Sequence, residues 1–179
     1  MADADITHSK NQRNDLSAEF VRSLLDYDPL NGDLSWKHNL ARYNSRIYAG
    51  KLITGVNGAG YIKMQICGHS YLAHRIIWLM MTCALPDAEI DHISGDPLDN
   101  RWTNLRAATR SENNRNCKVS SRNTSGHKGV SWNIQDKKWQ AHINLNGKRK
   151  RLGYFTDIKS AAAAYENSAA EIFGEFRRH

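Results

Sequence analysis

The sequence predicts an α+β protein with three parts: a small amino-terminal region of one helix and antiparallel strands, a central strand–loop–strand–helix unit, and a carboxy-terminal three-stranded antiparallel sheet packed on one helix. Two observations support this prediction. Short runs that alternate apolar and polar residues, separated by turn dipeptides such as Asn31-Gly32, are typical of antiparallel strands. Longer apolar stretches with helical spacing, clearest at residues 71–83, are typical of helices.

The first 70 residues are predicted to form a tail followed by one helix and several strands. Residues 1–15 lack any hydrophobic period and are expected to be a mobile tail. Within residues 16–70, Ser17 is a candidate N-cap of a helix that ends near Asp28-Pro29, because the residue before a proline disfavours helix. Strands are expected at the alternating runs, residues 34–36, 51–54 and 61–67.

Residues 71–118 are predicted to form the central unit. The apolar stretch at residues 71–83 is expected to be a helix that ends before Pro86. A short strand, a polar loop, a second strand and a second helix are then expected, at residues 90–93, 94–104, 105–109 and 110–117.

The carboxy-terminal unit is predicted to span residues 128–179, after a small and polar linker at residues 119–127. Thr156 is a candidate N-cap for its helix, and Gly174 is expected to end that helix. Three strands precede the helix, at Val130–Asn133, Lys138–Leu145 and Lys148–Phe155.

Positive charge is concentrated in one segment of the chain. The net charge is +7 over 179 residues, but residues 115–151 hold ten Lys and Arg against the single acid Asp136. Such a local excess indicates a polyanionic partner more strongly than a diffuse excess does, although a solvated basic face is the alternative. Hydrophobic and charged contents of 40% and 24% are typical of a soluble globular protein.

The cysteines and the apolar runs exclude several classes. The three cysteines are far apart, so neither a disulfide framework nor a zinc knuckle is expected, and a reducing compartment fits. The first fifteen residues are polar and do not form a secretory signal. The longest apolar run, residues 76–85, is too short to span a bilayer. A cytoplasmic location is therefore expected, in the host cell if the gene is viral.

The dipeptide Asp91-His92, followed by Asn104 and Asn113, is the most informative pattern in the chain. Cleavage of a phosphodiester requires a group that takes a proton from water and positive charge that counters the charge developing on the phosphate. His92 is the candidate proton acceptor, because an imidazole has an ordinary pKa of about 6.5. Asp91 and Asn113 offer the oxygen ligands that Mg²⁺ prefers. Asn104 can bond the main chain of the loop and thereby orient His92.

Several side chains have a plain structural interpretation beside the functional one. His92 can be a hydrogen-bonded structural histidine, and His74 is interpreted as a packing residue rather than a ligand. Trp139 is expected in the core, whereas Trp132 fits either the core or a sugar contact equally well. The arginines that flank the Asp91-His92 pattern fit either phosphate contacts or an ordinary surface.

The central pattern extends to the residues around it, namely Ala73-His74-Arg75, Asp91-His92, Asp99-Asn100-Arg101, Asn104-Leu105-Arg106 and Glu112-Asn113. Over about residues 70–117 the chain resembles the H-N-H nuclease family, whose ββα-metal motif has the same strand–loop–strand–helix order. The resemblance implies that His92 is the general base and that Asp91 and Asn113 hold one divalent metal. Asn104 would be the structural middle residue. Asn113 stands where many members have histidine, and an amide at that position also occurs in phage homing enzymes of the family.

A second informative set of residues lies within residues 127–176. Its members are Gly129-Val130, Trp139, Ala141, Ile143, Leu152-Gly153, Phe155, Ala161-Ala162, Ala164-Tyr165, Ala169-Ala170 and Phe173-Gly174. These residues resemble the DNA-binding domain of plant ethylene-response factors, which also occurs attached to phage and mobile-element nucleases. The resemblance implies that the sheet enters the major groove of DNA. Ser131 stands where the family signature has a base-reading arginine, so DNA affinity is expected without a defined base code.

Together these features predict a metal-dependent endonuclease of the phage homing type that acts on double-stranded DNA. One divalent metal is expected, namely Mg²⁺ with Mn²⁺ as the alternative. Zinc is not expected. One active centre favours nicking over a double-strand break. Neither a membrane nor an obligate protein partner is expected, and a monomer is preferred to a homodimer. The side chains expected to contact DNA are Arg101, Arg106, Arg110, Lys128, Lys138, Gln140, His142, Lys148, Lys150 and Arg151.

Two other functions fit the same sequence. The first is a non-catalytic, sequence-specific DNA-binding regulator that keeps a decayed nuclease core. The second is a nicking enzyme directed to RNA or associated with DNA packaging.

Overall fold

The computed structural model describes residues 16–38, 47–117, 119–120, 122–145 and 147–174. The chain divides into two compact units, Met1–Arg110 and Ser111–His179. The predicted mobile tail at residues 1–15 lies outside the described residues. The predicted linker and domain bounds stay predictions.

The first unit begins with a helix that runs directly into a strand. Helix α1 spans Ala18–Leu24, strand β1 spans Leu25–Tyr27, and strand β2 spans Leu34–Trp36. The predicted cap is confirmed, since the Ser17 hydroxyl accepts a hydrogen bond from Phe20 N at 3.0 Å. The predicted end of the helix near Asp28 is wrong. Leu25 is fully buried and extended because it pairs with Trp36 in the antiparallel β1–β2 hairpin.

A second hairpin leads into the longest helix of the first unit. Strands β3, Lys63–Ile66, and β4, His69–Leu72, pair antiparallel, and helix α2 follows at Ala73–Thr82. The helix starts two residues later than predicted because the preceding residues pair with β3. It ends at Cys83 in the left-handed conformation, φ 61°. The strand predicted at residues 51–54 is wrong, since that segment contributes only an isolated bridge from Leu52 to Ser35.

The predicted order of the central elements is confirmed. Strand β5 spans Glu89–His92, a 3₁₀ turn spans Trp102–Asn104, strand β6 spans Leu105–Ala108, and helix α3 spans Arg110–Asn116. Strands β5 and β6 pair antiparallel, with Asp91 opposite Arg106 and His92 opposite Leu105.

One hydrophobic core holds the first unit together. Val21, Leu25, Ile76 and Ile77 are fully buried in it. Ile90 of β5 and Leu105 of β6 belong to the same core. The hairpin that carries Asp91 and His92 is therefore fixed to the body of the unit rather than standing on a surface loop.

The second unit contains a three-stranded sheet and a long helix. Strands β7, Val130–Asn133, β8, Lys138–Leu145, and β9, Lys148–Phe155, form an antiparallel sheet in the order β7-β8-β9. Helix α4 spans Ile158–Phe173. All three strands agree with the sequence prediction, as does the end of the helix at Gly174.

The cap of α4 differs from the prediction by one residue. Asp157, not Thr156, is the N-cap, and its carboxylate accepts a hydrogen bond from Ser160 N at 2.8 Å. Either residue type caps a helix well, so local sequence does not choose between them.

Small side chains let α4 lie close to the sheet. Ala161, Ala162 and Ala169 are buried on the helix, and Ala141 and Ile143 are buried on the strand β8. None of the helices in the described part of the chain has the length and apolar character that crossing a membrane requires.

Candidate active site at the end of strand β5

Asp91 is buried and carries an ion pair with its neighbour across the hairpin. Only 3% of Asp91 is exposed. The Arg106 guanidinium donates through Nε to Asp91 Oδ2 at 2.9 Å, and its second nitrogen lies 2.7 Å from the same oxygen. Because Asp91 and Arg106 are directly opposite in the β5–β6 register, the pairing follows from the hairpin itself.

His92 is the last residue of β5 and is also buried, with 4% exposed. The chain turns immediately after it, since Gly95 N donates to His92 O at 2.7 Å and Gly95 has a φ of 66°. The imidazole Nε2 lies 3.1 Å from Asn100 Oδ1. The ring therefore has a fixed polar partner inside the loop.

Two more rings pack against His92. The His74 ring, from α2, meets it edge to face with centroids 5.0 Å apart and an interplanar angle of 88°. The Tyr61 ring lies 5.8 Å from His92 and 5.3 Å from His74. The interpretation of His74 as a packing residue is confirmed by its burial and by these contacts.

Burial controls the protonation of both histidines. Desolvation lowers the pKa of His92 below its ordinary value, although the Asn100 hydrogen bond and the Asp91 charge act in the opposite direction. Desolvation, together with the neighbouring His92 and Arg75, lowers the pKa of His74 to about 3. Both rings are accordingly neutral at physiological pH, and a neutral imidazole is the form that accepts a proton.

Asn104 ties the two ends of the loop together. Its Oδ1 accepts from Ser94 N at 2.8 Å, and its Nδ2 donates to Asp99 O at 2.6 Å. Its main-chain oxygen also accepts from Ile93 N at 2.8 Å. The prediction that the Asn104 side chain bonds the loop main chain is confirmed, and a contribution to catalysis stays a prediction.

The structure thus brings Asp91, His92 and Asn104 together around one loop. Asn113 lies on α3 in the second unit, where its main-chain oxygen accepts from Cys117 Sγ at 3.5 Å. Its metal-binding role stays a prediction. In the described residues no group of three or more His, Cys, Asp or Glu side chains is placed to hold a metal.

Sequence reasoning assigned no role to Asn100, the residue that contacts His92. Asn100 is 1% exposed, although it lies in a polar loop. Nothing in the local pattern marks one asparagine of such a loop as buried. The partner of Asp91 was also missed, but strand pairing predicts such a contact once the register is known.

The three arginines predicted to contact DNA near this site have different surroundings. Arg101 is exposed and forms an ion pair with Asp99, at 2.6 Å. Arg106 is mostly buried against Asp91. Arg110 is exposed at the start of α3. Their contacts with DNA stay predictions.

The carboxy-terminal sheet has one polar and cationic side, which we name the outer face. It is the side opposite Ala141 and Ile143, which are buried against α4. Directly paired residues of an antiparallel sheet share a side, and successive residues alternate. The outer face includes Lys138, Gln140, His142, Asn144, Arg149 and Arg151, together with Ser131, Asn133 and Tyr154.

Two predicted DNA contacts do not belong to the outer face. Lys148 and Lys150 pair with Leu145 and Ile143, so they lie on the other side, although both are exposed. The expectation that they share a side with Arg151 is wrong because neighbouring residues on a strand point to opposite sides. Arg149, which the prediction omitted, does lie on the outer face.

Two cations of the second unit contact groups within that unit. Lys128 Nζ donates to Arg115 O at 2.6 Å, at the end of α3. The Arg151 guanidinium lies over the Tyr154 ring, 5.1 Å from its centroid. Burial and the nearby Arg149 lower the pKa of His142. The predicted contacts of Lys128, His142 and Arg151 with DNA stay predictions.

Comparison with known proteins finds a family match in the central segment and two similar viral proteins. Residues 71–115 match the family model described as HNH endonuclease. The chain is 33% identical over 106 residues to "Protein 3.8" of Escherichia phage T7, an alignment that covers 59% of this chain and 87% of that protein. It is 34% identical over 116 residues to "Uncharacterized HNH endonuclease L560" of Acanthamoeba polyphaga mimivirus, covering 64% of this chain and 56% of that protein. No solved structure matches the chain significantly.

The matched segment contains the whole of β5, the loop and β6, together with Asp91, His92 and Asn104. This segment of the chain is therefore similar to the HNH endonuclease family. The chain spans about half the length of the mimivirus relative.

Proposed function

We propose that this protein is a metal-dependent endonuclease that hydrolyses phosphodiester bonds in duplex DNA. One observation carries the proposal: Asp91 and His92, adjacent and both buried at the end of β5, each have a fixed polar partner on the segment that follows. Side chains held in this way are preorganised for chemistry, whereas a surface aspartate and histidine are not.

The donor chemistry of Asp91 and Asn113 fits a hard divalent cation. Asp91 offers a carboxylate and Asn113 an amide oxygen, and Mg²⁺ is usually bound through one or two carboxylates with substrate phosphate and water completing the set. We assign these two residues as those that would hold Mg²⁺, or Mn²⁺ in its place. When bound, the cation supplies positive charge for the phosphoryl oxygens and for the leaving 3′ oxygen.

His92 is the group proposed to take a proton from the attacking water. Its lowered pKa keeps the imidazole neutral at physiological pH, which is the form that can accept a proton. The edge contact with His74 and the hydrogen bond to Asn100 hold the ring in one orientation. Asn104 keeps the loop closed around it.

The outer face of the carboxy-terminal sheet is proposed to bind the DNA. Its lysine and arginine side chains are exposed, and β-strands are an established means of entering the major groove. Arginine and glutamine side chains can also contact guanine and adenine edges. One copy of the active site attacks one strand, so we expect a nick rather than a double-strand break.

The proposal is tested with supercoiled plasmid and Mg²⁺ or Mn²⁺. We expect the wild type to convert the plasmid to the relaxed form and His92→Ala to lose this activity, with the dissociation constant for duplex DNA unchanged. His127→Ala, which removes an exposed histidine of the second unit, is the matched control and should cleave like the wild type. Because His92 is buried, His92→Asn serves as a second variant, and thermal unfolding verifies that both are folded.

A non-catalytic DNA-binding regulator is the second candidate. It is favoured by the Arg106 ion pair, which already neutralises the carboxylate that a metal would need. If wild type and His92→Ala bind duplex DNA equally and neither cleaves with any divalent metal, the regulator is the better description. Competition between duplex DNA and RNA in the same binding assay tests whether RNA is instead the target.

A further inference from the structure

We propose that Asn100 is a positioning residue for His92, and that the amino-terminal β1–β2 hairpin holds Asn100 in place. Asn100 would fix the ring proton of His92 on Nε2, so that Nδ1 is the atom that receives the proton from water. The inference rests on the proposed function, because it specifies how His92 would act as the base.

The hydrogen bond to His92 defines the tautomer. Asn100 Oδ1 lies 3.1 Å from His92 Nε2, and the Asn100 Nδ2 faces Leu98 O at 3.5 Å, which sets the orientation of the amide. An amide oxygen only accepts hydrogen bonds, so Nε2 must carry the proton. The remaining ring nitrogen, Nδ1, then has the lone pair.

With this tautomer, the hydrolysis step would proceed through proton transfer to Nδ1. As the water oxygen bonds to phosphorus, its proton passes to Nδ1, and the bond from phosphorus to the 3′ oxygen breaks. The electron pair of that bond stays on the 3′ oxygen, which takes a proton from a solvent water, and the imidazolium later returns its proton to solvent. The resulting imidazolium keeps its Nε2–H bond to Asn100 Oδ1, and charge on the ring strengthens that bond. Asn100 would thus stabilise the charged form that arises during the reaction as well as the orientation of the neutral ring.

The β1–β2 hairpin packs directly on the main chain around Asn100. The Tyr27 hydroxyl donates to Asn100 O at 2.8 Å, and Trp102 N donates to Pro29 O at 3.1 Å. Gly32 completes the contact. It has a φ of 85°, and a Cβ added there would lie 2.6 Å from Arg101 N and 2.8 Å from the Asn100 carbonyl carbon.

These contacts give the hairpin a role that its sequence does not suggest. The main chain of three consecutive residues, Asn100 to Trp102, is held by the β1–β2 hairpin. The hairpin supplies two hydrogen bonds and the close approach of Gly32. Because the Asn100 side chain is buried, a shift of its main chain moves its amide away from His92. The hairpin is therefore part of the support of the active site.

The tautomer is measured directly by long-range ¹H–¹⁵N correlation spectra of the histidine rings, with the His92 signals assigned by their loss in His92→Asn. We expect the wild type and Asn100→Asp, which keeps an acceptor, to show protonated Nε2. Asn100→Leu, which keeps the size and removes the acceptor, should show a mixture of tautomers. An unchanged Nε2–H ring in Asn100→Leu, or an Nδ1–H ring in the wild type, would overturn the proposal.

Cleavage kinetics test the consequence. We expect Asn100→Leu to lower kcat by between about 10-fold and about 10⁴-fold, the span found when an orienting partner of a metal-bound or catalytic imidazole is lost. KM and the dissociation constant for DNA should change little. An unchanged kcat would refute the positioning role. A wild type that does not cleave would refute the proposed function, and the spectra would then decide the role of Asn100 alone.

The support from the hairpin is tested with two alanine variants. Gly32→Ala and Gly50→Ala both place a side chain at positive φ, but a Cβ at Gly50 meets nothing within 4 Å. Backbone strain is therefore common to both, and only Gly32→Ala displaces Asn100. We expect Gly32→Ala to show a mixture of His92 tautomers and a lower cleavage rate, whereas Gly50→Ala keeps protonated Nε2 and cleaves faster than Gly32→Ala. Equal spectra and equal rates in the two variants would exclude a role of the hairpin.

Discussion

Asp91 and Arg106 face each other across the β5–β6 pair, and both guanidinium contacts, at 2.9 and 2.7 Å, go to the same carboxylate oxygen, Oδ2. The pair is largely removed from solvent. A buried charge pair tolerates loss of one partner poorly, because the remaining charge keeps its desolvation cost. Arg106 thus neutralises the carboxylate that the proposed mechanism assigns to a metal.

This relationship predicts that a metal and Arg106 compete electrostatically at Asp91. Arg106→Met keeps most of the side-chain volume and removes the charge, so the metal-free variant should be less stable by about 3–5 kcal/mol. Mg²⁺ should restore part of the loss, because a ligand that binds only the folded state stabilises it by about 2.7 kcal/mol at 100 times its dissociation constant. Thermal unfolding with and without MgCl₂ measures both effects.

Arg101→Met is the control for this prediction. Arg101 also forms an ion pair, with Asp99, but it is exposed, and exposed pairs contribute little to stability. If MgCl₂ shifts the unfolding temperature of wild type, Arg106→Met and Arg101→Met equally, no metal replaces Arg106 at Asp91.

A second prediction concerns acid stability. The pKa of His74 is about 3 in the folded protein and about 6.5 in the unfolded chain, so between these values the unfolded state binds more protons. The contribution of the neutral His74 to the free energy of unfolding is fully present above pH 6.5 and is lost as the pH falls towards 3. His74 alone should cost about 2 kcal/mol between pH 6 and pH 4.5. Urea unfolding of wild type and His74→Leu at the two pH values measures this difference.

His74→Leu should therefore lose less stability on acidification than the wild type does. His127→Gln, at an exposed histidine of the second unit, should keep the wild-type pH dependence. Equal pH dependence in wild type and His74→Leu would mean that His74 is not the group whose burial opposes protonation.

A third prediction tests DNA binding by the outer face. Each phosphate neutralised by a protein cation contributes about 0.9 to the slope of log K against log salt concentration. Arg149→Ala should weaken binding and reduce that slope by about 0.9. Fluorescence anisotropy with a labelled duplex over a range of KCl concentrations measures it. Lys159→Ala, an exposed lysine on α4, should leave the slope as in the wild type. Equal slopes in all three proteins would place the DNA elsewhere.

A fourth prediction concerns the packing of the second unit. Gly129 has a φ of 66°, and a Cβ there would overlap the His142 carbonyl oxygen and the Tyr165 ring. Gly147 has a φ of 75° with nothing within 4 Å of its Cβ position. Gly129→Ala should therefore lower the unfolding temperature of the second unit clearly more than Gly147→Ala, because strain is common to both and overlap is not. Equal shifts in calorimetry would contradict the close approach at Gly129.

The carboxy-terminal sheet shows how far local pattern alone predicts structure. All three strands agree with the sequence because alternation and turn residues are properties of neighbouring positions. Leu25 shows the limit. Its spacing fits α1, but pairing with Trp36, eleven positions further along the chain, draws it into β1. Local helix propensity is weaker than the burial that strand pairing provides, and the two cannot be ranked from the sequence alone.

The candidate active site likewise has residues that the sequence reveals and residues that only the structure reveals. Asp91, His92 and Asn104 are recognisable from spacing, since a carboxylate beside an imidazole and an asparagine at the loop end form a chemical pattern. Asn100 is not recognisable, because its role comes from a contact with His92 and from Tyr27, which is 73 positions away in the chain.

The amino-acid sequence by itself determined the order of the central elements, the strands of the second unit, the basic segment and the chemical identity of the Asp91-His92 pair. The tertiary structure decided which groups surround that pair: Arg106 on the carboxylate, Asn100 and His74 on the imidazole, and the amino-terminal hairpin behind Asn100. Periodicity and chemistry are encoded in neighbouring residues, whereas burial and hydrogen-bond partners depend on segments that meet only when the chain folds.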